Sequence, residues 1–297
     1  MKVKPVCAIC LLERGFKQAK MATDDEELQR KVVKRLLEFL AKNFDSNHTP
    51  PQIGYLRDKI VLEAIGMDDE DIYSKLKKYS NEIALEILPD VRNWIEEADD
   101  SQKERFRRAC IISIVGNIME FDISGHSFDL KDLPKVINDA ETELVIDDID
   151  KVFQIIQEKK NILFLPDNAG EIAFDTLLVE EFKRNGCHVT VAVKEKPIMN
   201  DATMDDALEV GMDNVADKLM TTGTDPVTAG LNINEASKEF LEEYKKSEII
   251  IAKGMGHFET LTEFELPIPL VHLLRTKCEP IANSLGVARH RNVAKIA

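Results

Sequence analysis

The sequence has few of the features that would assign a protein to a class at once. It contains 5 cysteines in 297 residues, an odd number that argues against a disulfide framework and favours a reducing compartment. No hydrophobic run approaches the length of a membrane span, and the apolar stretch near the N-terminus stops at Glu13 and Arg14, too early for a secretory signal. We therefore expect a soluble, cytoplasmic protein that has no membrane partner.

Positive charge is also scarce relative to negative charge. Lys and Arg number 39 against 54 Asp and Glu, which gives a formal net charge of -15 at pH 7. A field of this sign repels the phosphates of nucleic acids, so nucleic acid is not an expected partner.

The spacing of apolar residues divides the chain into two regions. Residues 1–150 repeat apolar side chains every three or four positions, which predicts a helical domain, and Thr23 and Glu26 match a capping box before one helix. Residues 151–297 alternate short apolar runs with helical patterns, which predicts an α/β domain with a mostly parallel sheet and flanking helices. We expect strands at 162–165, 188–193, 218–221, 248–252 and 268–274, and helical patterns that include about 143–158.

Small and polar residues follow each predicted strand at once. The five segments are "PDNAGE", "KEKPIMND", "TTGTD", "KGMGHFE" and "RTKCEP". Because the carboxyl ends of parallel strands share one edge of a sheet, where open α/β sheets bind ligands, these segments predict a common site.

The residue types at this edge fit phosphate chemistry. Asp167, Asn168 and Asp201 carry oxygen atoms of the kind that hold Mg²⁺ or Mn²⁺. Positive side chains and backbone amides at turns can bind an anion beside the metal. The positive side chains at this edge are Lys253, Arg275 and Lys277, and the turn residues are Thr222, Gly223, Gly254 and Gly256. A metal ion and a lysine on one phosphoryl group would neutralise the charge that grows on its oxygens.

Each of these residues also has a purely structural interpretation. An Asp after a strand is often the N-cap of the next helix, a turn glycine often serves backbone geometry, and a lysine at a strand end is often solvated. The convergence of five loops on one edge favours a site. Nucleotide hydrolysis by a P-loop and hydride transfer rank lower, because the P-loop signature is missing and "GMGHFE" has only two glycines of a dinucleotide fingerprint.

Five segments together resemble the damage-control phosphatase family, formerly described as domain of unknown function 89. They are "LPDNAGEIAFD", "PIMNDAT", "KGMGHFETL", "RTKCEP" and, upstream, "VGNIMEFD", and the resemblance covers most of the chain. It implies a helical N-terminal region packed on a Rossmann-like α/β domain. It also implies a phosphatase of small metabolites or their damaged forms that uses Mn²⁺, Co²⁺, Ni²⁺ or Mg²⁺.

The same resemblance assigns roles to individual residues. Asp167, Asn168 and Asp201 are the implied metal ligands. Asp201, Glu171 and Asn200 are the implied catalytic residues, of which Glu171 and Asn200 position the substrate or the attacking water. The implied substrate-binding residues are Lys277 on the phosphate, Glu259 on the substrate, and Asn117 and Asp122 reaching the cleft from the helical half.

Cys7, Cys10 and the Lys277-Cys278 pair resemble the branch of the family that is common in archaea and bacteria. A lone CxxC cannot complete a tetrahedral zinc site, and cysteines three apart share one helix face, so we expect Cys7 and Cys10 to pack as small apolar groups. We expect His257 to be a surface imidazole at a helix start.

Two alternative functions stay open at this stage. The first is an S-adenosylmethionine-dependent protein carboxyl methyltransferase, which is disfavoured because "PDNAGE" supplies only one glycine among acids after the first strand. The second is a module that binds a metal or metabolite in the same pocket without turnover.

Overall fold

A computed structural model describes residues 1–45, 47–67, 70–98, 101–116 and 133–297. Within these residues the helices are α1 Pro5–Ala22, α2 Glu26–Asn43, α3 Pro50–Ile65, α4 Ser74–Glu96, α5 Gln102–Gly116, α6 Leu133–Thr142, α7 Ile149–Glu158, α8 Glu171–Arg184, α9 Met204–Glu209, α10 Met212–Val215, α11 Lys238–Lys246, α12 Gly254–Leu261 and α13 Glu279–Leu285. No helix in this part of the chain is both long and apolar enough to cross a membrane.

One sheet organises the second half of the chain. Its strands are β1 Leu144–Asp147, β2 Asn161–Leu165, β3 His188–Val193, β4 Lys218–Thr221, β5 Ile249–Lys253, β6 Leu270–Arg275 and β7 Asn292–Ile296. They lie in the order β1-β7-β6-β5-β2-β3-β4. Strands β2 to β6 are mutually parallel, whereas β7 runs antiparallel to β6 and parallel to β1.

The strand order contains a topological switch point beside β2. The chain runs outward from β2 through β3 to β4, then returns to place β5 on the other side of β2 and continues outward to β6. In open α/β sheets, ligands bind in the crevice outside the carboxyl ends of strands at such a point. The loops after β2 and β5 therefore begin where this fold favours a ligand.

Apolar packing covers both faces of the sheet. One face forms a core with α4, α5, α7 and α8, in which the ring of Phe106 contacts Phe153 and Phe182 at centroid distances of 5.5 and 5.3 Å. A second core lies on the other face, where Phe240 and Leu261 pack against Leu163 and Ile250. Burial on both faces explains why the central strands are apolar without alternation.

The first three helices have a small core of their own, built around Val32, Leu36 and Val61. Asp25, and not Thr23, is the N-cap of α2, because its side chain accepts hydrogen bonds from the backbone N–H groups of Glu27 and Leu28. The predicted capping box at Thr23 and Glu26 is therefore wrong.

The predicted α/β class, with a mostly parallel sheet, flanking helices and an N-terminal helical region, is confirmed. All five predicted strands are present and parallel, but β1 and β7 were not predicted. Residues 144–147 form β1, so the helical pattern expected from about 143 begins only at α7. The division into domains at 1–150 and 151–297 stays a prediction; the sheet includes β1, which precedes that boundary.

Candidate active site

The loops after β2 and β3 pair with each other as a short antiparallel bridge. The backbone N–H of Ala202 donates to the carbonyl oxygen of Asp167 at 2.8 Å, and that of Ala169 donates to Asn200 at 2.9 Å. Asn168 and Asp201 are partners in this bridge. Residues that are 33 positions apart in sequence are thus brought together by backbone hydrogen bonds.

The side-chain amide of Asn168 has a fixed orientation. Its Nδ2 donates to Oδ2 of Asp167 and to Oε2 of Glu171, both at 2.9 Å. The reverse orientation would place the amide oxygen against two carboxylate oxygens and is therefore disfavoured. Because both N–H groups of this amide are donated to the two acids, its oxygen is the atom that is left to accept a hydrogen bond or bind a cation.

Buried negative charge accumulates around this bridge. Burial raises the pKa of Asp167 well above its usual range, and the carboxylates of Glu171 and Asp201 raise it further, while Lys277 and Lys194 lower it. Burial also raises the pKa of Asp201 to about 6, against the lowering effect of Lys194. Among the described residues, Oδ2 of Asp201 has no hydrogen-bond partner.

This donor set fits a hard divalent cation. The buried carboxylate of Asp201 makes a long ion pair with Lys194, at 3.4 Å from Oδ2, and it lies close enough to Asp167 for the two carboxylates to repel each other. A cation bound by these carboxylates and the oriented amide would relieve that repulsion. In the described ranges, no group of three or more His, Cys, Asp or Glu side chains could hold a metal ion. The candidate set instead consists of two carboxylates and an amide, with positions left for water or substrate.

Lys194 lies beside the candidate metal ligands and is not among the site residues predicted from the sequence. It is 2% exposed, its Nζ donates to the carbonyl oxygen of Gly230, and the same atom lies 3.4 Å from Oδ2 of Asp201. The available signal was its position directly after β3, in the segment "KEKPIMND". A buried lysine costs desolvation energy and therefore indicates a specific charge partner.

Met199 connects the loop after β3 to the N-terminal helices. Its thioether accepts from Arg57 at 3.2 Å and faces Arg14 at 3.7 Å, which places α1 and α3 over the site. Met199 also has a left-handed backbone with φ 47°, an uncommon conformation for a residue that is not glycine. This strain lies directly before Asn200 and Asp201.

A pocket of about 400 Å³ opens between α1, α3 and the carboxyl edge of the sheet. Seven predicted site residues line it, namely Asp167, Asn168, Asn200, Asp201, Gly256, Glu259 and Lys277. Burial raises the pKa of Glu259 to about 7, although Arg14 and the N-terminal amino group lower it.

Other predicted site residues lie outside the lining of this pocket. Lys253 is fully buried behind it and pairs with Glu171 and Asp175, while Gly254 packs on the carboxylate of Asp167. Gly223 lets Ser237 approach, since a Cβ there would lie 2.5 Å from that of Ser237, and Thr222 Oγ1 is hydrogen-bonded to Thr224 Oγ1 at 3.2 Å.

Two further predicted residues, Asn117 and Asp122, lie outside the described residues. Arg275, at the end of β6, donates to Glu143 at 2.5 Å and to Asn292 at 2.9 Å. These contacts connect β6 to the start of β7 and to the residue before β1.

Two expectations about cysteine and histidine need correction. Cys7 is buried and Cys10 is exposed, so only one of them packs as an apolar group. His257 is buried, and its Nδ1 lies 2.8 Å from the carbonyl oxygen of Lys253. The expected surface imidazole is wrong because α12 turns His257 inward against β5.

The fold and the pocket define an open α/β protein in which acidic, amide and cationic side chains lie together at the switch point of the sheet. The N-terminal helices α1 and α3 cover this site. The sequence pattern of the damage-control phosphatase ARMT1-like domain matches residues 3–293. The chain belongs to the damage-control phosphatase family, which confirms the resemblance.

Individual relatives agree with this assignment over nearly their whole length. A damage-control phosphatase of Archaeoglobus fulgidus is 36% identical over 299 residues, covering 100% of this chain and 99% of that protein. A damage-control phosphatase of Pyrococcus horikoshii is 33% identical, covering 97% and 96%. The crystal structure of a DUF89 family protein from Pyrococcus horikoshii has a TM-score of 0.86 at 31% identity, covering 99% of this chain and 98% of that one.

Proposed function

We propose that this protein is a divalent-metal-dependent phosphatase that hydrolyses phosphate esters of small metabolites. The observation that carries the proposal is the pairing of Asn168 with Asp201 beside Asp167, which brings two buried carboxylates and an amide together in a pocket that Lys277 also lines. The names of the relatives from Archaeoglobus and Pyrococcus support the same reaction class.

Asp167, Asn168 and Asp201 would hold the metal, for which Mn²⁺, Co²⁺, Ni²⁺ and Mg²⁺ are the candidates. A bound divalent ion supplies Lewis-acid polarisation of the phosphoryl oxygens and neutralises the charge that develops on them. The amide of Asn168 is held in one orientation by Asp167 and Glu171, so its oxygen is available without a prior rotation.

Two pocket residues would act on the substrate directly. The ammonium of Lys277 binds the phosphate as a point charge, which attracts the ester and offsets repulsion from the neighbouring acids. Glu259, with a pKa of about 7, carries a proton on a large share of molecules near neutral pH. It can therefore donate a hydrogen bond or a proton to an oxygen of the substrate. Asn200 completes this wall of the pocket.

A pocket of about 400 Å³ suits a small molecule. Sugar phosphates, phosphopantetheine-like compounds and damaged phosphorylated metabolites are the substrates that we propose. The five free thiols support a reducing environment, and we place the protein in the cytoplasm on that basis.

Release of p-nitrophenol from p-nitrophenyl phosphate tests the proposal. We expect hydrolysis with Mn²⁺ or Co²⁺, loss of activity after chelation, and recovery when excess metal is returned. A folded, metal-loaded protein that releases no phosphate from a broad panel of metabolites would refute the phosphatase and favour a binding module. Metal-independent binding of S-adenosylmethionine in a calorimeter would favour the carboxyl methyltransferase instead.

A further inference from the structure

A buried ammonium group lies directly behind the predicted metal ligands. Lys253 is the last residue of β5 and has 0% exposed surface. Its Nζ donates to the carbonyl oxygen of Ser113 at 2.6 Å, to Oδ1 of Asp175 at 2.9 Å and to Oε1 of Glu171. An ammonium has three N–H groups, and all three are directed at protein acceptors.

Glu171 connects this lysine to the site. One of its oxygens, Oε1, accepts from Lys253, and the other, Oε2, accepts from Nδ2 of Asn168 at 2.9 Å. The second N–H of Asn168 goes to Oδ2 of Asp167. A continuous chain of hydrogen bonds therefore runs from Lys253 through Glu171 to Asn168.

The remaining contacts hold the far end of this chain in place. Asp175, one turn beyond Glu171 on α8, accepts from the hydroxyl of Ser113 at 2.6 Å as well as from Lys253. Ser113 belongs to α5, which packs along α8. The ammonium is thus fixed by two helices and one strand, and Glu171 is held between Lys253 and Asn168.

We propose that Lys253 is a positioning residue that, through Glu171, fixes the side-chain amide of Asn168 so that its oxygen, and not its NH2 group, would be available to a cation. The proposal rests on the proposed function, in which Asn168 is a metal ligand. The sequence predicts that Lys253 contacts the phosphate directly, and the positioning role that we propose replaces that contact. Without the ammonium, two buried carboxylates repel each other, and Glu171 loses the contact that holds its second oxygen toward Asn168.

The test is Mn²⁺ binding by Lys253→Met, measured by calorimetry without substrate, together with kcat and KM for p-nitrophenyl phosphate. Loss of a partner that orients a metal ligand typically costs about 10- to 100-fold in metal affinity or activity. We expect the Kd for Mn²⁺ to rise by about tenfold or more, and KM at saturating Mn²⁺ to change by less than about threefold.

Phe182→Leu is the matched control for a general loss of stability, because it leaves a cavity in the core without changing any charge. Phe182 lies on the same helix as Glu171, about three turns further along, is 0% exposed, and packs against the ring of Phe106 at a centroid distance of 5.3 Å. We expect this variant to unfold at a lower temperature while its Kd for Mn²⁺ stays that of the wild type.

Two results would overturn the role of Lys253. A large rise in KM with an unchanged Kd for Mn²⁺ would show a direct phosphate contact. A lowered thermal midpoint with unchanged Kd and kcat, as in Phe182→Leu, would show a structural role alone.

If Lys253→Met does not fold, Glu171→Gln tests the middle of the chain. A glutamine has one oxygen and cannot accept from both Lys253 and Asn168 through separate oxygens, so the Kd for Mn²⁺ should again rise by about tenfold. An unchanged Kd would overturn the proposal. Because the Mn²⁺ comparison needs no turnover, failure of the phosphatase assay and failure of this inference are separate outcomes.

Discussion

Gly254 lies against the carboxylate of Asp167 with no room for a side chain between them. A Cβ at Gly254 would stand 1.8 Å from Oδ2 of Asp167, and the backbone there is left-handed, with φ +74°. The two residues meet because β5 and β2 are neighbours at the switch point. Glycine at this position therefore allows Asp167 to occupy the site.

Gly254→Ala should displace Asp167 and weaken metal binding. We expect the Kd for Mn²⁺ to rise by at least about tenfold, with a matching loss of kcat/KM. Gly186→Ala is the control, because Gly186 has φ +77° but open space around it. That variant should lose about 1–2 kcal/mol of stability from backbone strain and retain its metal affinity. Equal Mn²⁺ affinities in the two variants would contradict the explanation.

Asp201→Asn should separate function from stability. Asp201 is a proposed metal ligand, and its replacement should lower kcat/KM by at least about 100-fold. The metal-free protein should become more stable near pH 8, because the pKa of Asp201 is raised to about 6 in the folded state. The folded state then binds more protons than the unfolded state, and stability falls as pH rises from about 4 to 6.

Urea unfolding in the presence of a chelator measures this effect. Asp217→Asn is the control. Asp217 accepts a hydrogen bond from the backbone N–H of Val189 at 2.8 Å, at the amino end of β3, and although burial acts to raise its pKa, Lys183 and this N–H group lower it overall. The variant should therefore lose stability at pH 8 while its metal affinity is unchanged. A metal-free Asp201→Asn protein that is less stable than the wild type at pH 8 would contradict the prediction.

Lys277→Met should weaken the interaction with the phosphate ester and strengthen the binding of Mn²⁺. Removing a charged hydrogen bond to phosphate, worth about 1.5–3 kcal/mol, should lower kcat/KM by roughly ten- to several-hundredfold. Mn²⁺ affinity should rise, because Lys277 acts electrostatically on Asp167. Lys196→Met removes the same charge from an exposed position on the loop after β3 and should change neither value appreciably. Weaker Mn²⁺ binding in Lys277→Met would refute the assigned role.

His272→Phe should protect the protein against acid. His272 is fully buried against Phe258, and among the described residues neither ring nitrogen has a hydrogen-bond partner. Burial, with Lys295 and the N-terminal amino group, lowers its pKa to about 3. Between pH 6.5 and 3 the unfolded chain binds the proton and the folded protein does not. The free energy of unfolding therefore falls by on the order of 1 kcal/mol for each unit by which the pH decreases.

The measurement is the free energy of unfolding at pH 7.5 and pH 5. The advantage of His272→Phe over the wild type should grow at the lower pH, whereas His290→Asn, at an exposed position, should show no such growth. A pH-independent difference would contradict the assigned pKa.

Cys10 should be the first thiol to react in the native protein. It is exposed, whereas Cys7, Cys110 and Cys187 are buried and Cys278 is partly buried. Burial raises the pKa of the last of these to about 11, which lowers its thiolate fraction at pH 8. Titration with a chromogenic disulfide should show one rapid equivalent that Cys10→Ser removes. If Cys10→Ser still showed one rapid equivalent, another thiol would be accessible and the prediction would be wrong.

The sequence could predict the five central strands because each is buried on both faces and reads as a short apolar run between helical patterns. Strands β1 and β7 were missed for a physical reason. Leu144–Asp147 is only four residues long, begins with three consecutive apolar residues and is followed almost directly by α7, so the sequence does not separate it from the helical pattern of α7. Asn292–Ile296 is recognisable only through its antiparallel pairing with β6.

Residue types and their places at strand ends determined the list of candidate site residues. The bridge between Asn168 and Asp201 and the contact of Gly254 with Asp167 depend on which strands are neighbours, and strand order is not written in any local pattern. The same is true of the buried positions of Lys194, Lys253 and His257. Local sequence determined where strands, turns and donor atoms occur, because those properties depend on near neighbours. Tertiary structure alone decided which charges are buried together, because burial and hydrogen bonding depend on elements far apart in the chain.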